Sequence, residues 1–260
     1  MLKILKYSFF DLSRSYWSYC YLLFFLITTT VLLYLSQDPF KVMVSLLNIV
    51  LILTPLIGIM LGTMYFYNSR EFAELLLAQP IKRTSVFLGQ YLGLSLSLTL
   101  SFLLGMGLPF LFFGVFGSDH TLDFLMLIAV GVLLTLVFTA LAFVVASRFE
   151  NKLKGFGLAI LVWLSLAVLY DGLMLILMLV FESYPLEKAV LAAVLFNPID
   201  LSRILIMLRL DISALLGFTG AVFNAFLGTT QGMLVAFLAL LLWVTSPVFG
   251  FLHVIRGKDF

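Results

Sequence analysis

Five charged side chains crowd into NSREFAELLLAQPIKRTS, residues 68–85, between two long apolar runs: Arg70, Glu71, Glu74, Lys82 and Arg83. A loop that only reverses the chain between two membrane spans has no use for them. Asn68 is followed three residues later by Glu71, the spacing of a capping box, in which two side chains satisfy free N–H groups of a first helical turn. Phe72, Leu75 and Leu76 fall at i, i+3 and i+4, and Pro80 follows the last turn. The pattern predicts a short amphipathic helix over 69–79, with acids in the first turns where the helix dipole favours them. Glu71, Phe72, Glu74, Leu75 and Leu76 can then work in either of two ways. They can seat in a groove on a partner, apolar anchors inside and charges at the rim, or they can lie on the membrane surface as an anchor. Lys82 and Arg83 lead directly into the next apolar run, so a push on the short helix would reach a rigid rod.

A second set of polar residues lies further on. Asp171 is the one acid well inside an apolar run. A carboxylate in hydrocarbon is expensive, so it points to a pathway, a partner or a subunit seam, or else to a bond with a neighbour nearer the surface. Asp200, Arg203 and Asp211 cluster in a later polar stretch. They can form the charged rim of a docking surface or a merely solvated helix face. Met60 with Met64, and Met174 with Met178, are i, i+4 pairs. Thioethers suit Cu(I), but two without a third ligand make a weak site, and Met is also an adaptable packing residue. No metal site is expected. Neither G-x-x-x-x-G-K-[ST] nor HExxH nor CxxC occurs, and His120 and His253 are expected on opposite sides of a membrane. No catalytic residue and no bound cofactor are expected, so energy for any work must come from a partner or an ion gradient.

The elements that carry these residues follow from composition. Of 260 residues, 63% are hydrophobic and 11% charged, too little polar surface for a water-soluble globule. Long Leu- and Phe-rich runs without strand alternation argue for helices and against a barrel. A net charge of +2 is too small to imply nucleic acid, and a lone Cys20 gives no disulfide framework. Asp11 and Arg14 interrupt any signal-like stretch, and no small-residue cleavage site follows, so the N-terminus is expected to be retained.

Residues 2–14 predict an amphipathic helix lying in the membrane interface, with Leu2, Leu5, Phe9 and Leu12 as its apolar stripe. Six spans are expected near 16–36, 43–67, 86–116, 122–147, 156–181 and 230–252. The third exceeds what a bilayer needs, and Gly105, Gly107 and Pro109 predict a break or kink near its outer end. With this layout eleven Lys and Arg residues fall on one side and four on the other, which makes the first side, both termini and the 68–85 stretch cytoplasmic. Tyr16, Trp17 and Tyr19 stand where an interfacial aromatic belt belongs, and Arg148, Lys152 and Lys154 lie beside anionic lipid.

The connection 182–229 reads as external or re-entrant helices. Asn197 and Pro198 suit an N-cap and a first helical position, and Ile199, Leu201, Ile204, Leu205 and Leu208 make a stripe. A second apolar piece covers 213–227. Two extra spans are the rival, disfavoured because the NPID and RLD groups would enter lipid at a cost of several kcal/mol each.

This order of elements, with "LLLAQPIKR" closing the acidic helix between spans two and three, resembles the ABC-2 class of ABC-transporter permeases over the whole chain. In that class the short helix is the coupling helix, docked on a separate ATPase subunit. The resemblance implies Glu71, Phe72, Glu74, Leu75 and Leu76 at the dock, Lys82 and Arg83 behind it, and ATP with Mg used by the partner. The runs "NPIDLSRILIMLRLDISALLGFTGAVF", "LLLAQPIKRTSVFLGQYLG" and "YDGLML" are similar to the NosY family, permeases of the NosDFY systems that mature the copper sites of nitrous oxide reductase. That similarity implies a NosF-like ATPase inside, a periplasmic β-helical NosD-like protein outside and a second copy of the permease. Asp200, Arg203 and Asp211 would be its outer docking residues. No copper-binding residue is implied.

The expectation is an all-α integral membrane protein, a single transmembrane domain over 1–260, in a bacterial inner membrane. It would couple a partner's ATP hydrolysis to export of a sulfur- or copper-related species, or to mechanical work on a periplasmic partner. Two rivals stay open: an ABC-2 exporter of a drug, lipid or peptide, and a scaffold or ion-driven carrier with no ATPase.

Overall fold

A computed structural model describes residues 1–117, 120–181, 187–210, 226 and 228–257, and among these every regular element is a helix. In chain order they are α1 (Leu2–Ser13), α2 (Tyr16–Ser36), α3 (Pro39–Asn68), α4 (Arg70–Leu77), α5 (Arg83–Phe112) and α6 (Thr121–Arg148). There follow α7 (Lys152–Leu164), a π-helical turn Ser165–Leu169, α8 (Tyr170–Val180), α9 (Glu187–Leu195), α10 (Pro198–Arg209) and α11 (Thr230–Gly257). A short 3₁₀ turn, Val115–Gly117, precedes α6. Among the described residues six helices are long and apolar enough to cross a membrane: α2, α3, α5, α6, the continuous Lys152–Val180 and α11.

Local chemistry sets the helix ends. Gln37 adopts φ +52°, which turns the chain out of α2, and Asp38 caps α3 by accepting from the Phe40 N–H at 3.0 Å, with Pro39 in the first turn. Asn151 caps α7 in the same way, accepting from the N–H groups of Leu153 and Lys154. Of the expected break or kink in α5, the break does not occur. The helix runs unbroken through Gly105 and Pro109 to Phe112, and Gly114 at φ +73° lies just beyond its end. Pro109 is buried, and a packed neighbourhood tolerates its missing N–H.

Burial ranks the spans. In α3, α5 and α6 more than half of the apolar window is buried (56, 56 and 61%), against 28% in α2, 22% in α11 and 6% in Lys152–Val180. The first three are therefore the centre, and span five is the least buried. Small residues bring the central helices close: a Cβ at Gly62 of α3 would stand 2.6 Å from the Ala142 Cβ of α6. Buried hydroxyls add cross-helix bonds, among them Ser95 with Thr139 at 3.0 Å and Tyr91 to the Leu136 carbonyl at 3.1 Å.

The buried residues of the N-terminal helix lie outside the predicted interfacial stripe. Ile4 and Ser8 are its buried residues, while Leu2 is 77% exposed. A Cβ at Gly93 of α5 would lie 2.5 Å from the Ser8 Cβ, so close approach at that point selects a small residue. Contacts mark two ends of the bundle. Tyr7 stacks on Phe72 and the Tyr67 hydroxyl donates to the Phe149 carbonyl at one end. Phe40 meets His120, and Arg209 meets Asp123, at the other.

Candidate functional site

Two short helices between spans carry the charges singled out by sequence. The first, α4, begins where α3 ends. Asn68 is still the last residue of α3 and Ser69 is the cap, with no side-chain bond to the first turn, so the expected capping box does not form. A capping Asn needs an extended backbone, and the helix continues through Asn68 instead. The hold on α4 is thin: Ala73 is its buried residue, and Phe72 stacks on Tyr7 of α1 with ring centroids 4.9 Å apart. Leu76 and Leu77 pack partly against the core. Glu71, Glu74 and Leu75 face outward, Leu75 with 71% of its surface free. Arg70 reaches Glu74 at 3.0 Å. Lys82 is exposed and starts α5, and Arg83 joins Glu74, Leu77, Ala78 and Ile81 around a shallow hollow. The predicted residues thus share one end of the bundle but divide between two faces of α4: Phe72 and Leu76 pack inward, and Glu71, Glu74 and Leu75 are exposed.

The second, α10, behaves in the opposite way. Most of it is buried, including Ile199, Asp200, Leu201, Ser202, Ile204, Leu205 and Ile206. With nine residues in α9 and twelve in α10, neither can cross a bilayer, which needs about 20. Joined through Phe196 and Asn197, they form a helical hairpin packed against α6 and α11. At its tip the Leu195 carbonyl accepts from Trp243 Nε1 at 2.9 Å, and Asn197 Nδ2 donates to the Leu166 carbonyl at 2.8 Å. Trp243 and Leu166 lie near the middles of their spans, so the tip reaches about half-way along the bundle. From there α10 climbs to the end where Arg209 Nε meets Asp123 at 3.0 Å.

Asn197 does three jobs at the tip. Its Oδ1 accepts from the Ile199 N–H at 3.0 Å and caps α10, while its Nδ2 serves the Leu166 carbonyl and also Asp200 Oδ2 at 2.8 Å. Leu166 lies in the π turn, where wider i→i+5 spacing changes carbonyl pairing. Arg203 Nη1 then donates to Asp171 Oδ2 at 2.8 Å and to Asp200 Oδ1 at 3.1 Å. One guanidinium nitrogen holds two carboxylates. Tyr170 donates to the Ala193 carbonyl at 2.6 Å, a second tie between span five and the hairpin.

Asp171, Asp200 and Arg203 are therefore brought together and pair with one another, Asp200 buried and the other two partly exposed. Desolvated charges find each other before they find a surface. Asp211 and most of 213–227 lie outside the described residues. Met60 and Met64 are on α3, Met174 and Met178 on α8, and among the described residues no three His, Cys, Asp or Glu side chains gather as a metal-binding group. The sequence reading missed Tyr170, Trp163, Trp243 and Asp123 as bonding partners. The available signal was the polar atom each carries inside an apolar run, since a buried Tyr O–H or Trp N–H needs an acceptor.

No protein-family description matches the chain. Among individual proteins, it is 28% identical over 185 residues to a probable ABC transporter permease protein NosY of Pseudomonas aeruginosa, a match covering 65% of this chain and 64% of that protein. It is also 28% identical over 168 residues to a protein of the same name from Stutzerimonas stutzeri, covering 62% and 61%. The chain thus spans a little under two-thirds of the length of each relative it matches. An all-α architecture, six apolar helices and this similarity lead to one statement: the chain is a multi-pass membrane protein related in sequence to proteins named as NosY permeases of ABC transporters.

Proposed function

We propose that the chain is the membrane-embedded permease subunit of an ABC transporter of the NosY kind. A separate ATPase of the NosF type binds ATP and Mg and grips α4 from the cytoplasm. A second copy of the chain completes the permease, and a β-helical NosD-like protein lies on the periplasmic side. The system serves maturation of the copper sites of nitrous oxide reductase, by exporting a sulfur- or copper-related species or by mechanical work on the periplasmic partner.

The observation that carries this reading is the free edge of α4. Glu71, Glu74 and Leu75 stand exposed on a helix joined at one side to α3 and at the other to α5, two of the three best-buried spans. A load applied there passes into the centre of the bundle. The same end carries Lys3, Lys6, Arg14, Arg70, Lys82, Arg83, Arg148, Lys152, Lys154 and Arg256, the positive excess expected of a cytoplasmic face in the bacterial inner membrane. Span five and α2 leave long apolar faces uncovered, as lipid and a second copy would require.

The test is co-purification with a co-expressed cognate ATPase. Glu71→Lys combined with Glu74→Lys is expected to lower ATPase recovery about tenfold, equivalent to about 1.4 kcal/mol of binding, with unchanged permease in the membrane. Equal recovery with the double variant would remove α4 from the dock. Recovery of no ATPase with the unaltered chain would remove the transporter reading itself.

A further inference from the structure

Span five is one helix by length and two by attachment. Its first part, α7, buries Gly155 and Ala159, and Trp163 Nε1 donates to the Ile52 carbonyl of α3 at 3.2 Å. Beyond the π turn, α8 buries no residue, and none of its side chains joins either apolar core. Leu173, Leu175, Ile176, Leu179 and Val180 are all more than half exposed. What holds the base of α8 is polar: Asp171 to Arg203 and Tyr170 to the Ala193 carbonyl. Both bonds go to the α9–α10 hairpin, which is itself packed against α6 and α11 through Val194, Leu201, Leu205, Ala236 and Leu240. The change of allegiance, from α3 before residue 165 to the hairpin after 169, coincides with the π turn. A π turn lengthens the backbone ladder by a residue and loosens its register, and it is a recurrent point of bending at functional positions.

We propose that the π turn Ser165–Leu169 is a hinge, that α8 is an arm carried on it, and that Asp171–Arg203 is the latch that keeps the arm against the hairpin. Opening the latch swings α8 away from the α9–α10 hairpin while α7 stays fixed to α3. The latch suits this task because it is short of apolar contact: little buried surface is lost when it parts, and Asp200 remains to hold Arg203 on its own helix. Asn197, bonded to Leu166 inside the turn, anchors the pivot to the hairpin tip. This inference concerns the chain's own mechanics and does not depend on the identity of the ATPase or the cargo.

Spin-label distance measurements on the full chain in lipid nanodiscs test it, in a background with Cys20→Ser. One label pair, Ile176→Cys with Phe196→Cys, reads the arm against the hairpin tip. A control pair, Ile52→Cys with Leu161→Cys, reads the fixed part against α3. All four positions are exposed. The unaltered latch should give one short arm distance. Arg203→Ala and Asp171→Asn should each add a longer population in the arm pair and leave the control pair unchanged. Deletion of Ala167, which converts the turn to ordinary α register, should suppress the longer population in the Arg203→Ala protein. An unchanged arm distance in both latch variants overturns the latch. A control pair that shifts together with the arm overturns the hinge, because the helix then moves as a rod or the fold is lost. A longer population that persists after the deletion removes the π turn as the pivot.

Discussion

Two short helices with three charged residues each have opposite fates. Helix α4 carries Arg70, Glu71 and Glu74 and turns both acids to the surface; α10 carries Asp200, Arg203 and Arg209 and buries its acid. Position along the spans decides between them. Helix α4 sits past the end of α3, where water or a partner can solvate it. The start of α10 lies half-way down the bundle, where an unpaired charge costs several kcal/mol and pairing is the remaining option. The lesson is that a charged short helix in a membrane protein is a docking device or an internal clamp according to depth, and composition does not distinguish them.

Substitutions can sharpen or break this contrast, with thermal unfolding in detergent as a common measure. Arg203→Ala should be the most damaging, at about 3 kcal/mol, because it leaves Asp171 and Asp200 facing each other without a cation. The side chains of Arg203 and Asp171 are 27% and 33% exposed, which keeps the effect toward the lower part of the range for buried pairs. A loss below that of a surface variant would show that the clamp is solvated. Asn197→Ala should cost about 2 kcal/mol, since it removes the α10 cap and strips the Leu166 carbonyl of its partner. On the α4 side the scale shrinks. Phe72→Ala should cost about 1 kcal/mol by deleting the stack on Tyr7. Arg70→Ala should cost about 0.5 kcal/mol or less, because the exposed pair with Glu74 is screened. If Arg70→Ala destabilised as much as Arg203→Ala, the distinction between the two helices would be gone.

Legibility in the sequence followed the same division. The six apolar helices could be read because length and hydropathy are local properties, and a bilayer demands both. The Asn197 cap was legible for the same reason: Asn-Pro is a two-residue signal. Which residues of α1 would pack on the bundle was not legible: Ile4 and Ser8 are its buried residues, and Ser8 meets Gly93 across the interface. The capping box at Asn68 failed because the preceding helix, invisible to a four-residue pattern, ran on through it. Asp171 was singled out as costly, but its partner lies 32 residues away on another helix, and no periodicity links the two.

By itself, then, the sequence determined that this is a helical membrane protein, where its spans run, and which short stretch between them is amphipathic and charged. Those features arise from the transfer of side chains between water and hydrocarbon, which acts on each segment separately. Only the tertiary structure decided that Asp200 is buried, that Arg203 bridges it to Asp171, and that span five divides at a π turn into a packed half and an uncovered one. Those outcomes depend on which helices approach closely enough to exclude solvent, and that is fixed by packing between residues far apart in the chain.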